Sequence, residues 1–336
     1  MIIHIKILIP LLLVILFSCS GSDRELPELK GVEADVNFHH FYAVYPGKPG
    51  YVKDDSIPVF YKRYPVFFEL FNRYVIAIGG PERKDFLIMA NAFCSDQMIR
   101  RVYDDCRRIH GDLKTVEKDF RRALAYFNHY FPEQVTPDVY FFQSGFNQSL
   151  LVDSALLGVA LDKYLGSEYD FYIKLGLPRY QRAKMIPEMM VPDAMLAWTE
   201  GEFPMSDSCN NLLCRMIYYG KLQYCLQHVV PWCEDTLLFA FSGTQWQWCE
   251  ANEKKMWAWL LENKMLFSTD QKEIRRFTDD GPFTAQFGKD SPARTGVWLG
   301  WRIVQRYMVK NNGISLIQLM QNQDSQAILS GSGYNP

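Results

Sequence analysis

The first residues able to do chemistry lie near the start of the chain, at Leu16-Phe17-Ser18-Cys19. A cysteine thiolate can take a diacylglyceryl group as a thioether. The small serine before it leaves a peptidase room at the scissile bond, and leucine three places ahead completes the lipobox pattern. One basic side chain, Lys6, precedes an almost unbroken apolar run from Ile7 to Phe17. That run is shorter than the about 20 apolar residues a membrane-spanning helix needs, and its layout is that of a secretory signal. Residues 1–18 are therefore expected to be a signal peptide and Cys19 a lipid-bearing N-terminus. Residues 19–40, opening with the polar Ser20-Gly21-Ser22-Asp23, are expected to form a tether. Two or more acyl chains anchor stably where one is marginal, so a membrane is the first expected partner.

Beyond Cys19 the reactive residue types are present without reactive arrangements. The remaining histidines after the signal are His39, His40, His110, His129 and His228, and none belongs to H-E-x-x-H. No nucleophile elbow, phosphate-binding P-loop or dinucleotide fingerprint occurs. His39 and His40 fall beside the tether and read as incidental, while His129 and His228 sit at apolar helix ends where local partners satisfy them. Seven further cysteines, an odd number, cannot all pair within one chain. Five of them lie between Cys209 and Cys249 with no C-x-x-C pair, so buried small hydrophobes is the reading for most. Carboxylates at Asp153, Asp162, Glu168, Asp170, Asp193, Glu200 and Glu202 could supply an acid–base pair. Asp162 stands out because it ends an apolar strand, although turn chemistry before Lys163-Tyr164-Leu165-Gly166 explains it too. Tryptophans at 246, 248, 257, 259, 298 and 301 recur at helical spacing, which favours core packing over a sugar-binding face.

These residues need elements to hold them. An aromatic content of 15% argues against disorder. A net charge of −2 leaves no electrostatic footprint for nucleic acid. Phe41 to Pro65 carries turn signals and reads as loop-rich. Helices are predicted over 66–74, 82–108 and 112–130, the last capped by Asp112 and stopped by Pro132. Asp138–Ser144 and Ala155–Asp162 read as strands. Asp207 or Ser208 caps a helix running to Pro231. Thr244 with Gln247 offers a capping box for a Trp-rich helix, and Ser268 with Gln271 another. Ser291-Pro292 opens a last long helix, ended by Gly313. The fold class is α+β, predominantly helical, with a single domain over 41–336 and a small sheet.

Several segments also resemble a known family. LLGVALDKYLGSEYDFY at 156–172, RMIYYGKLQYCLQHVVP at 215–231, WCEANEKKMWAWLLENKMLFSTD at 248–270, SPARTGVWLGWRIVQRYM at 291–308 and AILSGSGYNP at 327–336 are similar, in order, to the gliding-motility lipoprotein GldB family. The resemblance implies a lipoprotein of Bacteroidota, facing the periplasm and needed for movement over surfaces, in machinery tied to type IX secretion. It implies envelope protein partners, no nucleic acid and no cofactor. A second resemblance is to gluzincin-like zinc peptidases, through G-x-x-L-D-x-Y-L-G followed by M-I-x-x-G. There H-E-x-x-H would fall near Val191 to Glu202, where this chain has VPDAMLAWTEGE, and Tyr219-Gly220-Lys221 leaves no carboxylate at the later ligand step. A degenerate zincin-like scaffold without zinc ligands is the expectation, its cleft binding a partner. The candidate cleft residues are Asp162, Lys163, Tyr164, Lys221, Arg294 and Trp298. The alternative class is an envelope hydrolase, either a carboxylate-based glycan hydrolase or an atypical metallopeptidase.

Overall fold

The computed structural model describes residues 34–45 and 52–336, together with Pro27 and Leu29. Cys19 and the signal segment lie outside the described residues. Two apolar runs, Asp138–Phe142 (β2) and Leu156–Ala160 (β4), form the centre of a four-stranded sheet. Phe38–His40 (β1) adds in parallel to β2, which is itself parallel to β4, and Leu150–Asp153 (β3) pairs antiparallel with β4, giving the order β1-β2-β4-β3. Because side chains alternate along a strand, β2 and β4 serve two cores at once. Val139, Phe141, Leu157 and Val159 face a large helical core. Tyr140, Phe142, Leu156 and Ala160 face a second core built from the phenylalanine-rich segment 60–94. A strand buried on both faces reads as an unbroken apolar run, and for that reason these two are visible in the sequence.

The sheet begins earlier than the expected domain boundary. Ala34 and Val36 are buried, and β1 occupies residues assigned to the tether, so the folded unit starts by residue 34. His39 and His40 are likewise not incidental: their Nε2 atoms lie 3.1 Å from Asp138 and 2.7 Å from Glu117. They fasten β1 to the sheet and to a helix beneath it.

Seven helices of ten or more residues are described: Phe86–Ser95 (α1), Gln97–His110 (α2), Lys114–Tyr130 (α3), Met190–Glu202 (α4), Leu212–Val229 (α5), Gly243–Glu262 (α6) and Thr295–Lys310 (α7). The single helix expected over 82–108 is broken at Asp96, which leaves helical geometry to accept the Ile99 amide as the cap of α2. The other caps also shift by a few residues. Leu113 in left-handed geometry opens α3 in place of Asp112, and Asn211 caps α5 in place of Asp207 or Ser208. Ser242 and Gln245 form the box of α6 in place of Thr244 and Gln247, and Asp270 caps the helix after it. Serine, asparagine and aspartate compete for such positions at nearly equal cost, so the tertiary path selects among neighbours.

α5 is buried nearly all round, as befits a central helix. It meets α7 at Gly220 and Gly300, where a Cβ on Gly300 would stand 1.8 Å from the Met216 carbonyl oxygen. None of the helices described is long and apolar enough to cross a membrane.

Candidate functional site

A cleft of about 710 Å³ opens where three segments meet: the turn carrying Arg179 to Lys184, the entry to α6, and the loop from Asp280 to Arg294. The α6 wall contributes Phe241, Ser242, Thr244, Gln245 and Trp248. Ser242 ends up there because its hydroxyl caps the helix and Gln245 reaches back to the Ser242 amide. The positive end of a 20-residue helix is thereby turned towards the cleft. The loop wall is braced from behind by Ser291, whose buried hydroxyl donates to the Gly288 carbonyl at 2.7 Å and accepts from the Thr284 amide at 3.2 Å. Ser291 and Pro292 therefore build the loop, and α7 opens only at Thr295.

Two positive-φ residues other than glycine border this cleft, Ala240 and Arg294, at φ 50° and 57°. Left-handed geometry costs an ordinary residue roughly 1–2 kcal/mol and persists where surrounding contacts impose it. At Arg294 those contacts are visible. Its Nε lies 3.0 Å from Asp280 Oδ1, and its guanidinium also donates to the Phe239 carbonyl. Lys184 Nζ lies 2.6 Å from both Asp280 oxygens. Two largely buried cations thus share one carboxylate that is itself about half exposed. Burial works against charge on Asp280, yet Arg294 and Lys184 hold it below the usual carboxylate range. Burial and the neighbouring Arg294 pull Lys184 down.

Behind this cluster stands Asp193, in the first turn of α4, accepting a hydrogen bond from the Tyr164 hydroxyl at 3.3 Å. Burial pushes its carboxyl up to about 6, against the opposing pull of Lys184, Tyr164 and Arg294. A carboxyl raised on folding stabilises fully below its unfolded value, near 3.9, and loses that contribution as pH rises through the folded one. The stability of the native protein relative to Asp193→Asn should therefore fall between about pH 4 and 6.5, by at most roughly 3 kcal/mol. Denaturant midpoints across that range measure it, and parallel curves would mean that Asp193 does not titrate there.

Of the expected cleft residues, Arg294 lines the cleft and Tyr164 supports it through Asp193. The others lie elsewhere. Asp162 is wholly buried and accepts from the Ser144 and Phe146 amides at 2.9 and 2.6 Å, pinning the turn after β2. Lys163 donates to the Phe146 carbonyl in the same turn. Lys221 lines a second cavity of about 240 Å³, where it donates to the Met320 and Asn322 carbonyls and closes the end of the Leu316–Gln321 helix. Burial pulls it down to about 8. Beside it lies a disulfide between Cys209 and Cys214; the five other described cysteines are free thiols, four of them buried. Trp298 is fully buried among Trp246, Trp301 and the Arg302 guanidinium. Lys184 and Asp280 were not expected. Asp280-Gly281 is an ordinary turn pair, and nothing local ties it to a lysine 96 residues away.

Among the described residues no group of three or more His, Cys, Asp or Glu is placed to hold a metal ion. The family model for the gliding motility protein GldB matches residues 22–336. No curated protein and no solved structure matches the chain.

Proposed function

The chain belongs to the gliding-motility GldB lipoprotein family, and from that premise we propose that it works in the motility apparatus by binding a partner protein rather than by catalysis. In this reading Cys19 carries the lipid, the folded unit faces the periplasm, and the apparatus is the one linked to type IX secretion. The observation that carries the binding role is the use of the cleft's inner acids. Asp280 is paired with both Lys184 and Arg294, and Asp193 is held by Tyr164 behind them. A general base must be free to reach the proton it removes, whereas these carboxylates position cations. The zincin-like reading is consistent with this arrangement. The segment where that motif would fall is helical, and it presents Asp193 to a lysine and an arginine instead of histidines to a metal.

The test is complementation in a gliding host that lacks its own copy. The native chain should restore movement and partition with membranes. Cys19→Ala should lose acyl label, membrane partition and movement together. Arg294→Glu should keep lipid and stay folded at lowered stability, which circular dichroism of the purified variant checks, yet lose movement. It should also lose the discrete adduct formed by a photo-crosslinking residue at Thr244. Full movement with Arg294→Glu would remove the cleft from the mechanism. Turnover of an envelope peptide or glycan by purified protein, abolished by the same variant, would place the chain among the hydrolases.

A further inference from the structure

The cleft's charges indicate what kind of segment it takes. Four cations line it, Arg179, Lys184, Lys289 and Arg294, against two carboxylates, Asp280 and Asp290. The excess is local, since the whole chain carries −2. Arg179 and Lys289 are exposed and make no ion pair among the described residues, while Lys184 and Arg294 share a single acid. Arg179 and Lys184 come from one wall and Lys289 and Arg294 from another, and Tyr180, Phe241 and Trp248 also line this cleft of some 710 Å³. Specific ligand sites typically have volumes of about 300–1,000 Å³ and mix apolar walls with a few placed polar groups. Lys184 and Arg294 converge on one carboxylate position, filled here by Asp280, while Arg179 and Lys289 add two further cations with no ion pair among the described residues. One converging pair with further cations and aromatic walls suits an extended chain bearing several carboxylates with apolar side chains between.

We propose that the cleft binds an acidic peptide segment of a partner protein, and that Asp280 occupies the position its carboxylate takes. This rests on the reading of the cleft as the binding site. The exposed half of Asp280 gives an incoming carboxylate access to displace it, and the two less exposed cations it would release match a carboxylate through a planar guanidinium and an ammonium. An incoming carboxylate then replaces an internal one, so no buried charge is left unpaired at any stage. The positive end of α6 and the outer Arg179 and Lys289 draw the remaining acids to the rim.

Fluorescence anisotropy on the purified folded protein tests this. The probes are a labelled octapeptide of alternating Glu and Leu and its Gln counterpart. The acidic peptide should bind at least about tenfold tighter than the neutral one, and its affinity should fall as salt rises. The double variant Arg179→Glu with Lys289→Glu, at two exposed positions that spare the fold, should weaken it by about tenfold or more. Asp280→Asn should strengthen it, the opposite sign to what a simple loss of structure would produce. Equal binding of both peptides, indifference to the double variant, or weakening by Asp280→Asn with an unchanged melting temperature would overturn the proposal. So would direct binding of oligouronate or inorganic phosphate, measured by calorimetry, where the acidic peptide itself does not bind. If peptides fail while movement and crosslinking still depend on Arg294, the ligand class falls and the docking site stands. If Arg294→Glu leaves both intact, the site itself falls.

Discussion

Gly300→Ala should abolish the folded state or lower its stability by more than about 4 kcal/mol, a loss reserved for core disruption. In an exposed helix the same change would be neutral to stabilising, since alanine is the better helix former by about 1 kcal/mol. Here the added methyl would stand 1.8 Å from the Met216 carbonyl oxygen and 2.4 Å from its carbon. Those atoms belong to the backbone of α5 and cannot rotate aside. Gly220 faces the same crossing, where its Cβ would lie 2.3 Å from the Gly300 carbonyl carbon. Relief requires α5 and α7 to separate, which would unpack Trp298, Trp301, Leu222 and Met216, all buried. Gly313→Ala is the control, because a Cβ there meets nothing within 4 Å. Guanidinium denaturation of the two variants should differ by several kcal/mol. Matching midpoints would mean that the helices do not approach as closely as described.

Asp162→Ala should cost about 2–6 kcal/mol, from about 1–3 kcal/mol for each of two amides left without an acceptor. The carboxylate takes the Ser144 amide at 2.9 Å, the Phe146 amide at 2.6 Å and the Ser144 hydroxyl at 3.1 Å. Gly145 and Phe146 both hold positive φ, at 67° and 68°, so the turn has little intrinsic preference for this path. Without the acceptor, two amides lose their partner and the turn loses its pin. Asp162→Asn should be milder, because one oxygen remains while the new NH2 opposes a donor. Denaturation together with proteolysis at 144–149 distinguishes these outcomes. A stability change below about 1 kcal/mol for Asp162→Ala would show that the turn forms without the carboxylate.

Asp162 also shows where reading the chain alone reaches its limit. An aspartate at the end of an apolar run is equally consistent with a cleft acid and a turn pin, and both readings were open in the sequence. The choice depends on Ser144 and Phe146, which reach it from the other end of a strand crossover. Arg294 entered as part of a motif, and only the loop's return to Lys184 gives it neighbours. β1 and β3 leave no legible pattern, because strands of three and four residues carry too little periodicity. His39 and His40 become strand residues once Asp138 and Glu117 are brought beside them.

Properties that depend on near neighbours are legible in the chain alone. Long helices follow from apolar spacing, β2 and β4 from runs buried on both faces, and the burial of Trp257, Trp298 and Trp301 from their helical repeat, whereas Trp248 lines the cleft. Its motif order also carried the family, which the match over residues 22–336 bears out. Which charges meet is set at long range by packing. Lys184 and Asp280 stand 96 residues apart, and Arg294 and Phe239 55. No local preference encodes such a pairing. It results from where α4, α5 and α7 bury their apolar surfaces, and hydrophobic burial is non-directional. The charged loops are carried to their positions by packing, and their ion pairs form among the groups that packing has placed together.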